Sequence, residues 1–182
     1  MRVIAGTAGS IPLRFPSGAD IRPTTDAIRE YLFSSLAERV TDAVFCDVYA
    51  GAGTVGIEAL SRGALRCVFV EKNPRCVQAL RDNLAKTRLA DAAVVMAGDA
   101  GKLYQVAAAT HGPFDLVFID PPYGLPGADH LARQVIDEGV GLAPGALVIV
   151  QQGRSEPLSP AREPDRSKRF GETVLTFFDF AD

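Results

Sequence analysis

The stretch VFCDVYAGAGTVG, Val44 to Gly56, decides the fold. Its first half, Val44 to Ala50, is a short apolar run closing in small residues, the pattern of a buried strand. A glycine turn follows, and Thr54 to Arg62 continues at helical spacing. Strand, glycine turn and helix form the opening unit of an open α/β sheet. The alternation persists downstream. CVFVE (Cys67 to Glu71), AAVVMAGD (Ala92 to Asp99), FDLVFID (Phe114 to Asp120) and ALVIVQ (Ala146 to Gln151) read as strands. Between them lie helical segments. One begins at Pro74, with Val77, Leu80 and Leu84 on one face, and the others cover Gly101 to Thr110 and Leu131 to Gly139. Near-continuous apolar strands separated by amphipathic helices predict a mostly parallel sheet covered on both faces. TVLTFFDF, Thr173 to Phe180, follows only the polar segment Gly153 to Arg169 and Phe170-Gly171. It is expected to be antiparallel, either in a hairpin or beside the fifth strand. The polar segment itself reads as a surface connector.

Upstream, MRVIAGTAGSIPLRFPSG alternates and is rich in Gly and Pro, which predicts a small hairpin. DIRPTTDAIREYLFSSLAERV then reads as a helix capped by Thr24 or Thr25, with Ile28, Leu32 and Leu36 along one face. Residues 1–40 are therefore expected to form an extension placed before a domain of residues 41–182.

The chain has 182 residues, 47% of them hydrophobic and 23% charged, which supports one packed domain. A net charge of -3 excludes a strongly basic coat, though not a local basic face. Cys46, Cys67 and Cys76 form no metal-ligand spacing with each other or with the two histidines. They read as reduced packing residues, so no metal and a cytoplasmic location are expected. No apolar run reaches membrane-spanning length, so no membrane partner is expected. No exposed apolar helix stands out, and a monomer is expected.

In an open α/β sheet the ligand site lies beyond the carboxyl ends of the strands. Four strands out of five end in or near an acid: Asp47, Glu71, Asp99 and Asp120. Gly51, Gly53 and Gly56 fit GxGxxG, which admits a nicotinamide dinucleotide as well as other ligands. Asp47, four residues before Gly51, is badly placed for a pyrophosphate and well placed for an ammonium group or water. Glu71 can accept both hydroxyls of a ribose. Asp99 can take an adenine amino group while Ala100 lends a backbone amide to the ring, or Asp99 can cap the following helix. In FIDPPYG, Phe118 to Gly124, two prolines hold Asp120 and Pro121 extended. Asp120 and a backbone carbonyl there can accept both hydrogens of an exocyclic amine, and Tyr123 offers a flat face for a base.

Asp120, Pro121, Pro122 and Tyr123 together resemble the DPPY motif of methyltransferases that act on amino groups of nucleic-acid bases. Nearly the whole chain is similar to one narrower family, the bacterial 16S ribosomal RNA (guanine-N2)-methyltransferases of the RsmD type. RPTTDAIREYLFSSL (Arg22 to Leu36), CDVYAGAGTVGIEALSRGA (Cys46 to Ala64), FVEKNPRCVQALRDNL (Phe69 to Leu84), FDLVFIDPPYG (Phe114 to Gly124) and RFGETVLTFF (Arg169 to Phe178) carry the likeness. The resemblance implies a class I methyltransferase fold of seven strands, Rossmann-like, with an antiparallel C-terminal strand. It implies S-adenosyl-L-methionine as donor, S-adenosylhomocysteine as product, and one guanine of 16S rRNA as acceptor, free or within the small ribosomal subunit. Asp47, Ala50, Gly51, Gly53, Glu71, Lys72, Asp99, Ala100 and Thr24 are implied at the cofactor. Asp120, Pro121, Pro122 and Tyr123 are implied at the chemistry, and Arg22, Arg29, Tyr123 and Arg169 toward the RNA. The alternatives are a DPPY enzyme acting on adenine-N6, a nicotinamide oxidoreductase, and an RNA-binding module without activity. In one respect the chain departs from the family, whose N-terminal hairpin is usually basic. GTAGSIPLRFPSG has Arg14 alone. The charge would then come from Arg162, Arg166, Lys168 and Arg169, or from contacts with proteins of a ribosomal particle.

Overall fold

The computed structural model describes residues 1–16, 24–122, 124–155 and 158–181. Seven strands form one sheet: β1 (Val44–Val48), β2 (Arg66–Glu71), β3 (Ala93–Ala97), β4 (Phe114–Ile119), β5 (Leu142–Gly153), β6 (Arg166–Phe170) and β7 (Thr173–Asp179). Among the described residues five α-helices accompany them: α1 (Asp26–Leu36), α2 (Thr54–Ser61), α3 (Pro74–Thr87), α4 (Ala100–His111) and α5 (Ala128–Ile136). The strand order is β3-β2-β1-β4-β5-β7-β6, and β7 runs antiparallel to both its neighbours. This is the class I methyltransferase arrangement.

Alternate residues of the central strands feed two cores. Phe45, Leu116, Phe118, Leu147 and Ile149 pack with α1, α2 and α3 on one face. Cys46, Val117, Ile119, Val148 and Val150 pack with α4 and α5 on the other. Double-sided burial explains why these strands read as continuous apolar runs rather than alternating ones. All three cysteines are buried and unbridged.

Local signals set most helix ends. The Thr25 hydroxyl accepts from the Ile28 amide at the start of α1, a cap worth about 1 kcal/mol. Asn73 caps α3, and Pro74 takes its first position, where no amide bond is lost. The chain steps outward from β1 to β3 and then returns to β4 beside β1. That reversal opens a crevice at the carboxyl ends of β1 and β4.

One element differs from expectation. The polar connector contains β6, which supplies the seventh strand. Arg166 to Arg169 are exposed, and β6 pairs only with β7, so it carries no apolar alternation to read. The N-terminal hairpin is short: within residues 1–16 Arg2 bridges Pro12, and the Val3, Ser10 and Leu13 amides donate to the Ile11, Val3 and Met1 carbonyls. This segment is also tied to α2: the Ile4 and Ala5 amides donate to the Glu58 carboxylate, and the Ala8 amide to the Ser61 hydroxyl. Val3, Ala8 and Leu13 share the core with α1 and the sheet.

Candidate active site

The turn after β1 is built by backbone demands. Gly53, with φ 81°, sits under Leu80, and a Cβ there would lie 2.2 Å from the Leu80 Cδ1. Gly51, with φ 56°, is different, because a Cβ there would meet nothing within 4 Å. The turn therefore presents bare backbone to open space, where a ligand can approach closely. Tyr49 also has positive φ, 66°, an arrangement that costs a non-glycine residue of order 1–3 kcal/mol. Its amide and that of Ala50 both donate to the Val70 carbonyl, which holds the turn against β2. Burial and the Asp99 charge push the Tyr49 phenol up to about 12.

Glu71 closes this turn from β2. One carboxylate oxygen accepts from the Gly51 amide at 2.8 Å and the other from the Asn73 amide at 2.7 Å. A carboxylate oxygen has two lone pairs, so the side chain is fixed and still able to accept from a diol. Lys72, beside it, is exposed. Asp99 stands at the N-cap of α4 but makes no capping bond with its side chain, which leaves that exposed carboxylate available. Ala100 begins the helix and is buried. Open backbone at Gly51, an anchored acceptor at Glu71 and an unspent acceptor at Asp99 fit a cofactor made of an amino acid, a ribose and an adenine.

Asp47 is only 2% exposed. Its carboxylate accepts from the Gly56 amide at 2.9 Å, which pins the first turn of α2 to β1. Burial, together with the Glu71 charge, pushes its carboxyl up to about 7, against the opposing pull of the Gly56 bond.

Asp120 follows β4, where its amide donates to the Val48 carbonyl. Its Oδ2 accepts from Gln151 Nε2 at 2.8 Å and from the Thr24 hydroxyl at 3.4 Å. Gln151 Nε2 also reaches the Thr24 hydroxyl at 3.3 Å. Burial, then the Asp47 charge, push the Asp120 carboxyl up to about 7, while the two side-chain donors pull it down. Beyond it Pro121 is buried and Pro122 exposed. The Pro122 carbonyl is used inside the turn, accepting from the Leu125 amide at 3.1 Å. A cavity of about 300 Å³ opens against this corner, lined by Pro121, Pro122, Leu125, Gln152 and Gly153 among others.

The structure thus brings Thr24 to Asp120, and Glu71 to the glycine turn. It does not bring Arg29 or Arg169 to them. Arg29 was expected toward the RNA, but it is 0% exposed. Its guanidinium donates to Asp26 at 2.6 Å and to the Arg2 and Thr54 carbonyls. A cation needs that many partners once it leaves water. Arg169 is exposed on the edge strand β6, outside β5 and β7. Arg22 and Tyr123 lie outside the described residues.

Gln151 was not among the residues expected here. It is 8% exposed, and its Oε1 is buried without a hydrogen-bond partner among the described residues. The available signal was an amide ending five apolar residues in a central strand, because a polar group there must serve something. Among the described residues no cluster of His, Cys, Asp and Glu could hold a metal, and no helix is long and apolar enough to cross a membrane.

A family model described as Conserved hypothetical protein 95 matches residues 1–179. The Bacillus subtilis protein YlbH is 37% identical over 176 residues, 97% of this chain and 91% of that protein. Ribosomal RNA small subunit methyltransferase D of Escherichia coli K12 is 35% identical over 151 residues, 83% of this chain and 74% of its own. A solved protein from Thermus thermophilus superposes with a TM-score of 0.83 at 30% identity, covering 98% of each chain. An RNA methyltransferase from Salinibacter ruber, solved with S-adenosyl-L-homocysteine, shares the fold at a TM-score of 0.68 and 21% identity, over 88% of this chain and 95% of that one.

Proposed function

The chain belongs to the Conserved hypothetical protein 95 family, whose model spans residues 1–179, and from that premise we propose that it is an S-adenosyl-L-methionine-dependent methyltransferase acting on the exocyclic 2-amino group of a guanine in small-subunit ribosomal RNA. The observation that carries this reading is the Asp120 carboxylate, held by Gln151 and Thr24 on one oxygen at the reversal of strand order. A held acceptor beside a cofactor turn is what a weakly nucleophilic amine needs. The E. coli relative's name, a small-subunit ribosomal RNA methyltransferase, supports the substrate class.

The donor supplies a methyl group on a positively charged sulfur. Glu71 would accept from its ribose hydroxyls, Asp99 from its adenine amine, and the open backbone at Gly51 would admit its amino-acid end. With Oδ2 of Asp120 occupied, Oδ1 is the oxygen left for one N–H of the guanine amine. The Pro122 carbonyl already accepts one bond inside its turn, so the Pro121 carbonyl is the freer acceptor for the second N–H. Two acceptors return electron density to a nitrogen whose lone pair is otherwise shared with the ring, and they aim it. Orientation and fixed dipoles then lower the barrier without a strong base. The carbon–sulfur bond breaks as the carbon–nitrogen bond forms, and the amine proton leaves afterwards to Asp120 or water. Tyr123 would stack on the base, worth about 1–3 kcal/mol. The base must be unpaired or flipped to enter.

The test is transfer of labelled methyl from S-adenosyl-L-methionine to small ribosomal subunits, and separately to their naked rRNA, from cells lacking the modification. N2-methylguanosine in the product digest is the expected result. N6-methyladenosine would keep the Asp120 chemistry and reassign the base. No product with either substrate, in a protein that binds the cofactor, would overturn the substrate.

A further inference from the structure

We propose that the exposed edge of the sheet, strand β6 with Arg166, Lys168 and Arg169, is the track along which the RNA backbone leaves the active site. The inference rests on the methyltransferase reading above and assigns the electrostatic contact that the N-terminal segment lacks.

The sheet register connects the two places. Ile119 pairs with Val150, so Asp120 and Gln151 stand side by side, as their hydrogen bond requires. Gln151 pairs with Leu175, and Leu175 with Lys168. Asp120, Gln151, Leu175 and Lys168 therefore form one row across the sheet. With neighbouring strands about 4.8 Å apart, Lys168 stands about 14 Å from Asp120. A strand of RNA covers that distance in a few nucleotides. Arg169 and Phe170 lie further along β6, at the same end of the sheet as the carboxyl ends of β4 and β5.

The charges on this edge are unspent. Residues 166 to 169 are exposed, and none of the ion pairs among the described residues uses Arg166, Lys168 or Arg169. The acids nearby are mostly committed. Asp179 pairs with Arg39, and Asp165 accepts from the Asp179 amide and faces Arg162. Glu172, in the turn to β7, is the remaining acid of the hairpin. Two of the cations are also positioned. The Arg166 guanidinium lies 4.1 Å from the centroid of the Phe177 ring, and the Lys168 ammonium 5.7 Å from that of Tyr31. Tyr31 packs edge-on against Phe170 at 5.3 Å. Cations held over rings keep their charge while losing side-chain freedom, which reduces the entropy cost of meeting a phosphate. On this edge strand Arg166 and Lys168 share one face, over Phe177 and Tyr31, and Arg169 projects from the other face at the active-site end.

The experiment compares the unaltered protein with Arg166→Gln/Lys168→Gln/Arg169→Gln. A control, Arg81→Gln/Arg88→Gln/Arg133→Gln, removes the same charge from α3, its C-cap and α5. The probe is small-subunit rRNA transcribed in vitro, with binding measured from low to moderate salt. Each lost single-strand phosphate contact lowers the slope of log affinity against log salt by about 0.7, so the edge variant should lose about 2. It should also bind at least tenfold more weakly at low salt, while its thermal midpoint and S-adenosyl-L-methionine binding match those of the unaltered protein. The control should bind within about twofold of the unaltered protein. Equal slopes and affinities for the two triple variants would overturn the assignment. So would a loss seen with intact subunits but not with naked RNA, because the edge would then meet protein. Cofactor titration of the unaltered protein reports separately on the parent reading, since its failure there would remove the methyltransferase while leaving the slope comparison readable.

Discussion

Asp47 and Asp120 stand on neighbouring strands and on the same face of the sheet, and burial pushes both carboxyls up to about 7. Their partners separate them. Asp47 accepts from a backbone amide, Gly56, and fixes where α2 begins. Asp120 accepts from two side chains, Gln151 and Thr24, brought from β5 and from the residue before the α1 cap. A backbone donor ties a carboxylate to the scaffold. Side-chain donors from two remote segments hold one oxygen and leave the other for a ligand. Burial alone distinguishes neither role, because it moves both acids in the same direction.

The largest expected break in this comparison is Asp120→Ala. Losing a preorganised partner of the reacting group typically costs about 10²–10³ in rate, and here the amine also loses its orientation, so methyl transfer should fall by at least 10³. Cofactor affinity, read by titration, should stay within about threefold. Equal loss of cofactor binding would mean that Asp120 works in the cofactor turn, as Glu71 does. Gln151→Leu sharpens the same point. The shape is nearly kept and the donor is lost, so kcat should fall about 10–100-fold, the scale of one charge-assisted hydrogen bond of about 1.5–3 kcal/mol. The Gln151 bond pulls the Asp120 carboxyl down, so its removal should also move the acid limb of the pH–rate profile upward. A merely structural role would lower stability and leave that limb in place.

Most of the scaffold was legible because the sheet is buried on both sides. Continuous apolar strands, Pro74 at a helix start and threonines before α1 each carry a local physical signal. β6 was not legible, because an exposed edge strand is held by one ladder of backbone bonds and leaves no hydrophobic pattern. At the site, the acids and glycines were visible as residue types at strand ends, but their division of labour was not. Arg29 shows why. A basic residue on an amphipathic helix reads as solvent-facing, and only three-dimensional packing reveals Asp26 and the Arg2 and Thr54 carbonyls around its guanidinium. Gln151 shows the converse. It looked like the ordinary end of a strand until the register set it beside Asp120.

A smaller effect is expected from Asp47→Ala. It leaves the buried Gly56 amide unpaired, at a cost of about 1–3 kcal/mol, measurable as a lower urea midpoint at pH 5, where the buried carboxyl is protonated and carries no charge penalty. Loosening the glycine turn should weaken cofactor binding, while kcat at saturating cofactor should move less than about tenfold. A collapse of kcat with normal stability would instead place Asp47 in the chemistry and erase its contrast with Asp120.

The remaining expected effect is in pH dependence, and its sign is unusual for carboxylates. Both acids have folded-state pKa values near 7, above the value of about 3.9 for a carboxyl in an unfolded chain. Between about pH 4 and pH 7 the folded protein holds protons that the unfolded chain has released. Stability therefore falls as pH rises through this window. Asp179, held low by Arg39, acts the other way, but only as pH drops through the ordinary carboxylate range. The ligand-free protein should thus have a higher urea midpoint at pH 5 than at pH 8. Asp47→Asn keeps an acceptor for Gly56 and never ionises, so it should flatten the slope. Asp120→Asn should flatten it less, because Asp120 is half-buried and solvent screens part of its charge. Saturating S-adenosyl-L-methionine brings positive charge to the same crevice and should flatten the slope in the unaltered protein. If the midpoint instead rises from pH 5 to pH 8, neither carboxyl is held neutral by burial. The two acids would then be ordinary ionised strand-end residues, distinguished by their hydrogen-bond partners alone.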